Sequence, residues 1–408
     1  MGAQTMEAGL GKLLILGAGR GQLGLILAAQ RLGIETFVAT LPTGQHASAV
    51  PADHLVHVDI TNPSLVIEAA RRHGVSAVAT SCSDRAIPVL GAVCEALGLV
   101  GLTSLAANAS SDKRLMKAAF LQGGVQTAIY HIVASRSDFG KAISRIGYPL
   151  IVKPVDCQGS AGVTILHDAQ HADRAYLHAR RASRVDEVIV ESFLEGTEFG
   201  AQALVRNGEI VFVLPHGDET FMAKTAVPVG HYVPLDQSTS VIKDAIYQTS
   251  QAIRALGLDN CAVNVDLILH DRKVFVIEIA GRAGANGLPE LVSRHLGLDY
   301  YECILRLALG REVFSASIIE ESRRPAAAVR MIIAPNRAGR LGLLTIDHTA
   351  APEAEYAMFL GTGDVVNGFQ SSADCIGQLV VSGQSLEIAL AAADLAQGAV
   401  VLELVEHA

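Results

Sequence analysis

Asp266 and Glu278 stand at the two ends of Asp266-Leu-Ile-Leu-His-Asp-Arg-Lys-Val-Phe-Val-Ile-Glu278, an apolar run interrupted by a polar tip centred on Arg272. Such a run reads as a β-hairpin, and hairpin parity limits what the two acids can do. A tip with an odd number of residues around Arg272 sets the carboxylates side by side across the strands, their Cβ atoms about 5 Å apart. An even tip sends them to opposite faces. If they converge, their mutual repulsion is best relieved by a hard divalent cation with oxygen ligands, most simply Mg²⁺ carried in with a nucleotide. The competing reading is two acids on a solvated face, and the residues upstream decide between the two.

Half of the 408 residues are hydrophobic but only 5% are aromatic, so the core must be built from Ala, Val, Leu and Ile, which suits α/β architecture. A formal net charge of −9 argues against an extended nucleic-acid or anionic-membrane surface as the main partner. The cysteines (Cys82, Cys94, Cys157, Cys261, Cys303 and Cys375) are scattered without a C-x-x-C pair, the pattern of reduced, buried thiols. Lys12, Arg20 and Arg31 interrupt the hydrophobic N-terminal region, and no apolar run reaches the roughly 18 residues that span a bilayer. Neither a membrane span nor a signal peptide is expected, and the expected location is cytoplasmic.

Three units are expected along the chain. Residues 12–100 alternate short apolar strands with helices (strands at 12–16, 36–39, 55–58 and 77–79; helices at 22–32, 63–73 and 86–97), which predicts an open parallel sheet covered on both faces, about residues 1–107. A helix capped by Ser111 or Asp112 opens the middle unit, 108–315, where strands are expected at 150–154, 188–193, 200–214 and 262–280. Pro215 to Pro234 reads as a long irregular segment inside it. A small sheet-rich unit, 316–408, closes the chain with a helix at 385–396 and a strand at 400–404.

Gly17-Ala-Gly19-Arg-Gly21-Gln-Leu-Gly24 satisfies G-x-G-x-x-G at the first strand-to-helix turn, yet no acid follows the second strand at Thr40 to Pro42 to hold a ribose hydroxyl. Its glycines are therefore read chiefly as permitting a tight turn and close packing. Lys153 lies on the short apolar strand Leu150-Ile-Val-Lys153-Pro, just before the loop that carries Gly159, Ser160 and Gly162. A glycine loop can close over phosphates with its backbone amides while a nearby ammonium neutralises them. The strand Val188-Ile-Val-Glu191-Ser192-Phe193-Leu194 then runs into an acidic turn with Glu195 and Glu198.

Taken in order, Lys113, Lys153 with its glycine loop, Glu191 to Glu198, Asp266, Glu278 and Arg282 closely resemble the ATP-grasp ligase superfamily over roughly residues 12–310. The twelve-residue interval from Asp266 to Glu278, with Arg282 four positions on, is the spacing of biotin carboxylase and carbamoyl-phosphate synthetase. The resemblance implies an ATP-grasp fold preceded by an open α/β domain, with a lid at about 120–190. It assigns the ATP phosphates to Lys113 and Lys153, adenine to Glu191, Ser192, Phe193 and Leu194, the ribose to Glu198, and Mg²⁺, with Mn²⁺ as alternative, to Asp266 and Glu278. Arg282 matches the arginine at the reacting carboxyl-phosphate centre. Lys224 and His231, in the segment read as irregular, match the variable loop that contacts the acceptor. One departure is Ala280, where many members carry an Asn ligand; Asn264 and Asn286 are candidate substitutes. The variant Glu278-Ile-Ala-Gly-Arg282 is similar to the version in L-amino acid ligases.

The implied activity is ATP-dependent amide or peptide formation through an acyl phosphate, from small-molecule carboxylate and amine substrates resembling amino acids, with release of ADP and phosphate. Phosphorylation removes the carboxylate's charge and supplies a leaving group, while the lysines, glycine loop and metal spread the charge that develops. A bicarbonate-using carboxylase and a non-catalytic nucleotide sensor are the alternatives. A homodimer is an arrangement common among such relatives.

Overall fold

The computed structural model describes residues 11–41, 51–157, 159, 161–222, 226–313, 325–333 and 337–405. The first unit contains β1 (Lys12–Leu16), α1 (Arg20–Arg31), β2 (Glu35–Thr40), β3 (His54–His57), α2 (Pro63–His73), β4 (Ala77–Ala79), α3 (Ile87–Leu97) and α4 (Ser104–Ala109). Its sheet has the order β3-β2-β1-β4 and is parallel throughout. Leu13 to Leu16 are all fully buried, as a central parallel strand covered on both faces requires. The glycines of the first turn serve packing: a Cβ on Gly21 would stand 2.5 Å from Cys82 Cβ, and one on Gly24 would stand 2.4 Å from the Tyr301 ring.

The next unit opens with α5 (Lys113–Gln122), where Asp112, rather than Ser111, caps the helix by accepting from the Arg114 N–H. After it come β5 (Tyr130–Val133), α6 (Arg136–Ile146), β6 (Leu150–Pro154), β7 (Thr164–Leu166), α7 (Ala172–Ala182) and β8 (Val188–Ser192). The strands form an antiparallel sheet of order β5-β8-β6-β7 around its own core, with Phe139 stacked on Tyr176. The glycine loop is the connection between β6 and β7.

The largest sheet is built from β9 (Thr197–Arg206), β10 (Glu209–Met222), β11 (Ala226–Val233), β12 (Cys261–His270) and β13 (Lys273–Ala280), with α8 (Thr239–Leu256) packed across it. After α9 (Leu288–Leu296) and α10 (Tyr300–Ala308), the chain adds β14 (Ala326–Ile333), β15 (Gly339–Ile346), β16 (Glu355–Met358), β17 (Val365–Val366), β18 (Cys375–Gly383), α11 (Leu386–Gly398) and β19 (Val400–Val405). β14, β18 and β16 extend the large sheet to the order β13-β12-β9-β10-β11-β14-β18-β16, so hydrogen bonding crosses the boundary expected near residue 316. No helix among the described residues is long and apolar enough to cross a membrane.

Two features differ from expectation. The stretch from Pro215 to Pro234 contains most of the β10–β11 hairpin, so His216 and His231 stand on strands; its prolines and glycines disguise a ladder that bulges after Glu219. The tip of the β12–β13 hairpin is even, with only Asp271 and Arg272 between the paired His270 and Lys273, both at positive φ (47° and 63°). An even tip should separate the two acids. A β-bulge prevents this: Leu267 pairs with Val276, the next pair is Asp266 with Glu278, and Ile277 is the extra residue. Without it Glu278 would oppose Val265, a fully buried core residue on the other face. The Gln126–Thr127 segment pins the neighbouring edge, since Val276 N–H donates to Gln126 O at 2.8 Å and Thr127 Oγ1 donates to Val276 O at 2.8 Å.

Candidate active site

The bulged hairpin sets Glu278 and Asp266 in one row across the large sheet, continued by Gly200 on β9 and His216 on β10. Glu198, two residues before Gly200, lies on the same face. Asp266 is solvent-exposed, yet protein crowds its carboxyl closely enough to desolvate it. Desolvation, then the charge of Glu278, raises its pKa to about 7; Arg282 and the amide of Asn264, 3.1 Å away, work in the opposite direction. Two oxygen-donor groups with one carboxyl so disposed to hold its proton fit a hard divalent cation.

Lys113, first residue of α5, places its ammonium 2.8 Å from Cys157 O beside the glycine loop and 3.2 Å from Glu278 Oε1. Burial works against its charge, but Glu278 and the more distant Glu191 and Asp84 outweigh that and raise its pKa. Lys153 on β6 reaches Glu191 Oε2 on the adjacent β8 at 2.9 Å. Lys117, one helical turn after Lys113, meets the other oxygen of Glu191 at 3.3 Å and donates to Thr127 Oγ1 at 2.5 Å. Glu191 is only 3% exposed; burial disfavours its charge, yet the two ammonium groups hold its pKa down at about 2. Its carboxylate is thus engaged by lysines, which leaves the backbone of 191–194 as the part able to meet a base.

That segment lines a narrow cavity of about 80 Å³ together with Lys117, Lys153 and Glu198, walled by Ile268, Val276 and Ile277. An apolar slot with polar edges suits a flat heteroaromatic ring. Ser192 and Phe193 already donate their N–H groups to Ile129 O and Pro149 O, which fixes the segment's path. Desolvation raises the pKa of Glu198, with Lys153 opposing and Asp218 adding to the shift. Gly159 has positive φ and is exposed, and a Cβ on Gly162 would stand 2.7 Å from both Pro154 Cγ and Ala182 Cβ. Ser160 and Lys224 lie outside the described residues.

Arg282 follows β13 and crosses to the first unit, where its Nε lies 2.5 Å from Asp84 Oδ1; burial opposes its charge, but Asp84 keeps its pKa well above the ordinary arginine value. The loop beyond it is tied down by Gln202, which donates to Asn264 Oδ1 at 2.6 Å and accepts from Gly284 N–H at 2.9 Å. Asn264 stands directly across from Ala280, but its carbonyl oxygen is committed to Gln202. Asn286 points elsewhere, toward Pro228 O and Ser372 Oγ, on the wall of a cavity of about 820 Å³ between the first turn, α9 and the C-terminal strands. His231 is buried and bonded through Nδ1 to Asp218.

Sequence reasoning did not single out Lys117, Asp84, Asp218 or Gln202. Lys117 had a signal, its position four residues after Lys113 on one helix face. Asp84 and Gln202 had none, because their partners lie 198 and 62 residues away.

Residues 146–289 match the ATP-grasp domain family. The structure of phosphoribosylglycinamide synthetase from Anaerococcus prevotii superposes with a TM-score of 0.83 at 38% identity, over 97% of this chain and 99% of that one. L-amino acid ligase from Bacillus licheniformis superposes with a TM-score of 0.78 over 97% and 99% of the two chains, and at 20% identity this shows the fold alone. Alanine–anticapsin ligase from Bacillus subtilis (strain 168) is 27% identical over 265 residues, 59% of this chain, and the match spans about 55% of that relative's length. Similarity from end to end at 38% identity, with the domain signature across the bulged hairpin, means that the chain belongs to the ATP-grasp superfamily of carboxylate–amine ligases.

Proposed function

We propose that this chain is an ADP-forming ligase that activates an amino-acid-like carboxylate as its acyl phosphate and transfers it to an amine. The observation that carries the reading is Asp266 directly opposite Glu278, with the Lys113 ammonium 3.2 Å from Glu278. In this reading Asp266 and Glu278 hold Mg²⁺, whose contribution is to neutralise the triphosphate. Lys113, Lys153 and the amides at Gly159, Ser160 and Gly162 bind phosphate oxygens, as expected for a transfer dominated by charge stabilisation. Ser192, Phe193 and Leu194 embrace the adenine, Glu198 takes the ribose, and Lys117 with Glu191 supports the hinge from beneath. Arg282, oriented by Asp84, binds the carboxylate and then the oxyanion formed as the amine attacks. His231 and Lys224 belong to the acceptor side, and the segment at 120–190 closes over the acyl phosphate to exclude water.

The 820 Å³ cavity supports an uncharged or cationic acceptor rather than a phosphorylated one. Among its described lining residues Arg20 is the one Lys or Arg, and its guanidinium is spent on Cys375 O at 2.5 Å and Ala373 O at 2.7 Å. Glu290 and Asp374 also line it, beside Leu23, Leu27 and Phe359. The name of the 38% identical relative favours a second reading, with a phosphoribosyl group on the amine partner. ADP release measured over amino-acid pairs, bicarbonate and phosphoribosylamine, with mass detection of the product, separates these outcomes. Stimulation by amino-acid pairs without bicarbonate is expected; release only with bicarbonate or with none of them rejects the proposal, and release only with phosphoribosylamine together with an amino acid selects the second reading. Glu278→Gln should lose at least about 100-fold in kcat while remaining folded.

A further inference from the structure

We propose that His216, Asp218 and His231 form a second cation site, for a divalent ion of borderline hardness such as Zn²⁺, separate from the Asp266–Glu278 pair. The three side chains share one sheet face: Asp218 on β10 pairs with His231 on β11, and His216 precedes Asp218 by two residues. One donor atom from each can be chosen so that all lie within 4.8 Å of one another. Both imidazoles turn Nδ1 toward the same carboxylate oxygen, at 2.9 Å from His216 and 2.6 Å from His231, and both rings are buried, 2% and 4% exposed.

An ion would be held by the three atoms that already converge, Nδ1 of each ring and Oδ1 of Asp218. Nε2 of His216 and Nε2 of His231 are both buried without a hydrogen-bond partner. An ion on the Nδ1 side leaves these two atoms as they are, so the site rests on the convergence of the two Nδ1 atoms and Oδ1 and on the burial of both rings. Asp218 forms ion pairs only with these two rings among the described residues.

Gly200 shows that the backbone accommodates this arrangement. A Cβ there would lie 2.3 Å from Cε1 and 2.6 Å from Nε2 of His216, so the ring edge occupies the space that any other residue's side chain would fill. The donor chemistry separates two ions. Asp266 and Glu278 offer only oxygen, the preference of Mg²⁺, whereas two imidazoles and a carboxylate match zinc and its neighbours. Metal–donor bonds of about 2.1 Å at tetrahedral angles put donors about 3.4 Å apart. The carboxylate need therefore withdraw by only about 0.5–0.8 Å from its present contacts. Three protein donors leave a coordination position open to an electron-pair donor such as an amine or water.

The test is metal binding, read without turnover, so it is independent of the ligase reading. The full chain, stripped with EDTA, is titrated calorimetrically with Zn²⁺ in a large excess of Mg²⁺. One equivalent should bind to the parent and to Glu278→Gln, and the Kd should rise by more than about 100-fold in His216→Ala and in His231→Ala. Crystals of the unsubstituted protein soaked in Zn²⁺ should give an anomalous peak among the three side chains, a readout that does not depend on any variant folding. Absence of binding, binding indifferent to both histidine substitutions, or a peak at Asp266 and Glu278 alone overturns the proposal.

Discussion

Replacing Asp266 with Asn should make the ligand-free protein more stable above about pH 7 while removing its hold on metal-bound nucleotide. The sign follows from the raised pKa. Folding lifts this carboxyl from its ordinary 3.8 to about 7, through burial first and Glu278 second. Below the unfolded value both states carry the proton and the group contributes nothing. Between about 4 and 7 the unfolded chain has lost it and the folded chain has not, so stability falls as pH rises. Above 7 both states are ionised and the full penalty remains. Transmitted entirely, the displacement corresponds to about 4 kcal/mol. The carboxyl faces the open cleft, however, and solvent screening reduces the expected gain to about 1–2 kcal/mol. Thermal unfolding of parent and Asp266→Asn in EDTA, compared near pH ~4 and pH ~8, reads it directly. The two should coincide at the lower pH, with the variant several degrees more stable at the higher. A variant that melts at or below the parent at both pH values would refute the view that unrelieved carboxylate repulsion destabilises the apo site.

Other expectations test the supports of the site. Glu191→Gln strands Lys117 and Lys153, which both lie against it, and should cost about 3–5 kcal/mol in chemical denaturation; a loss under about 1 kcal/mol would show that these ammonium groups find other partners. Gly200→Ala forces a methyl to within 2.3 Å of His216 and should destabilise by about 1–3 kcal/mol, whereas an unchanged melting curve would contradict the close placement of that ring.

Much of the architecture was legible because hydrophobic period and caps are local. The strand 12–16, the helix 63–73 and the strand 150–154 coincide with expectation, and Asp112 was one of two residues foreseen as the cap of α5. The ATP-grasp fold was legible from the order of its motifs. Tip parity left the facing of Asp266 and Glu278 open, with opposition expected for an odd turn; the turn is even, and the bulge at Ile277 restores the pairing. Bulges leave no period of their own in a run such as Val-Phe-Val-Ile. The β10–β11 hairpin was hidden for a related reason, since Pro215, Gly217, Pro228 and Gly230 suggest a loop when read without their ladder partners. Asp84 beside Arg282 and Gln202 beside Gly284 depend on chain segments brought together only by the completed fold.

Because Ile277 is the extra residue between the paired Val276 and Glu278, it is the position at which the β12–β13 hairpin can lose a residue and keep its two acids opposed. Deleting Ile277 removes the extra residue and leaves Glu278 following Val276 across from Asp266, whereas straightening the ladder with Ile277 retained turns Glu278 toward Val265 in the apolar interior. Surface turns ordinarily drift in length with little consequence, and here too the facing of Glu278 is decided by the bulge beside it rather than by the remote tip.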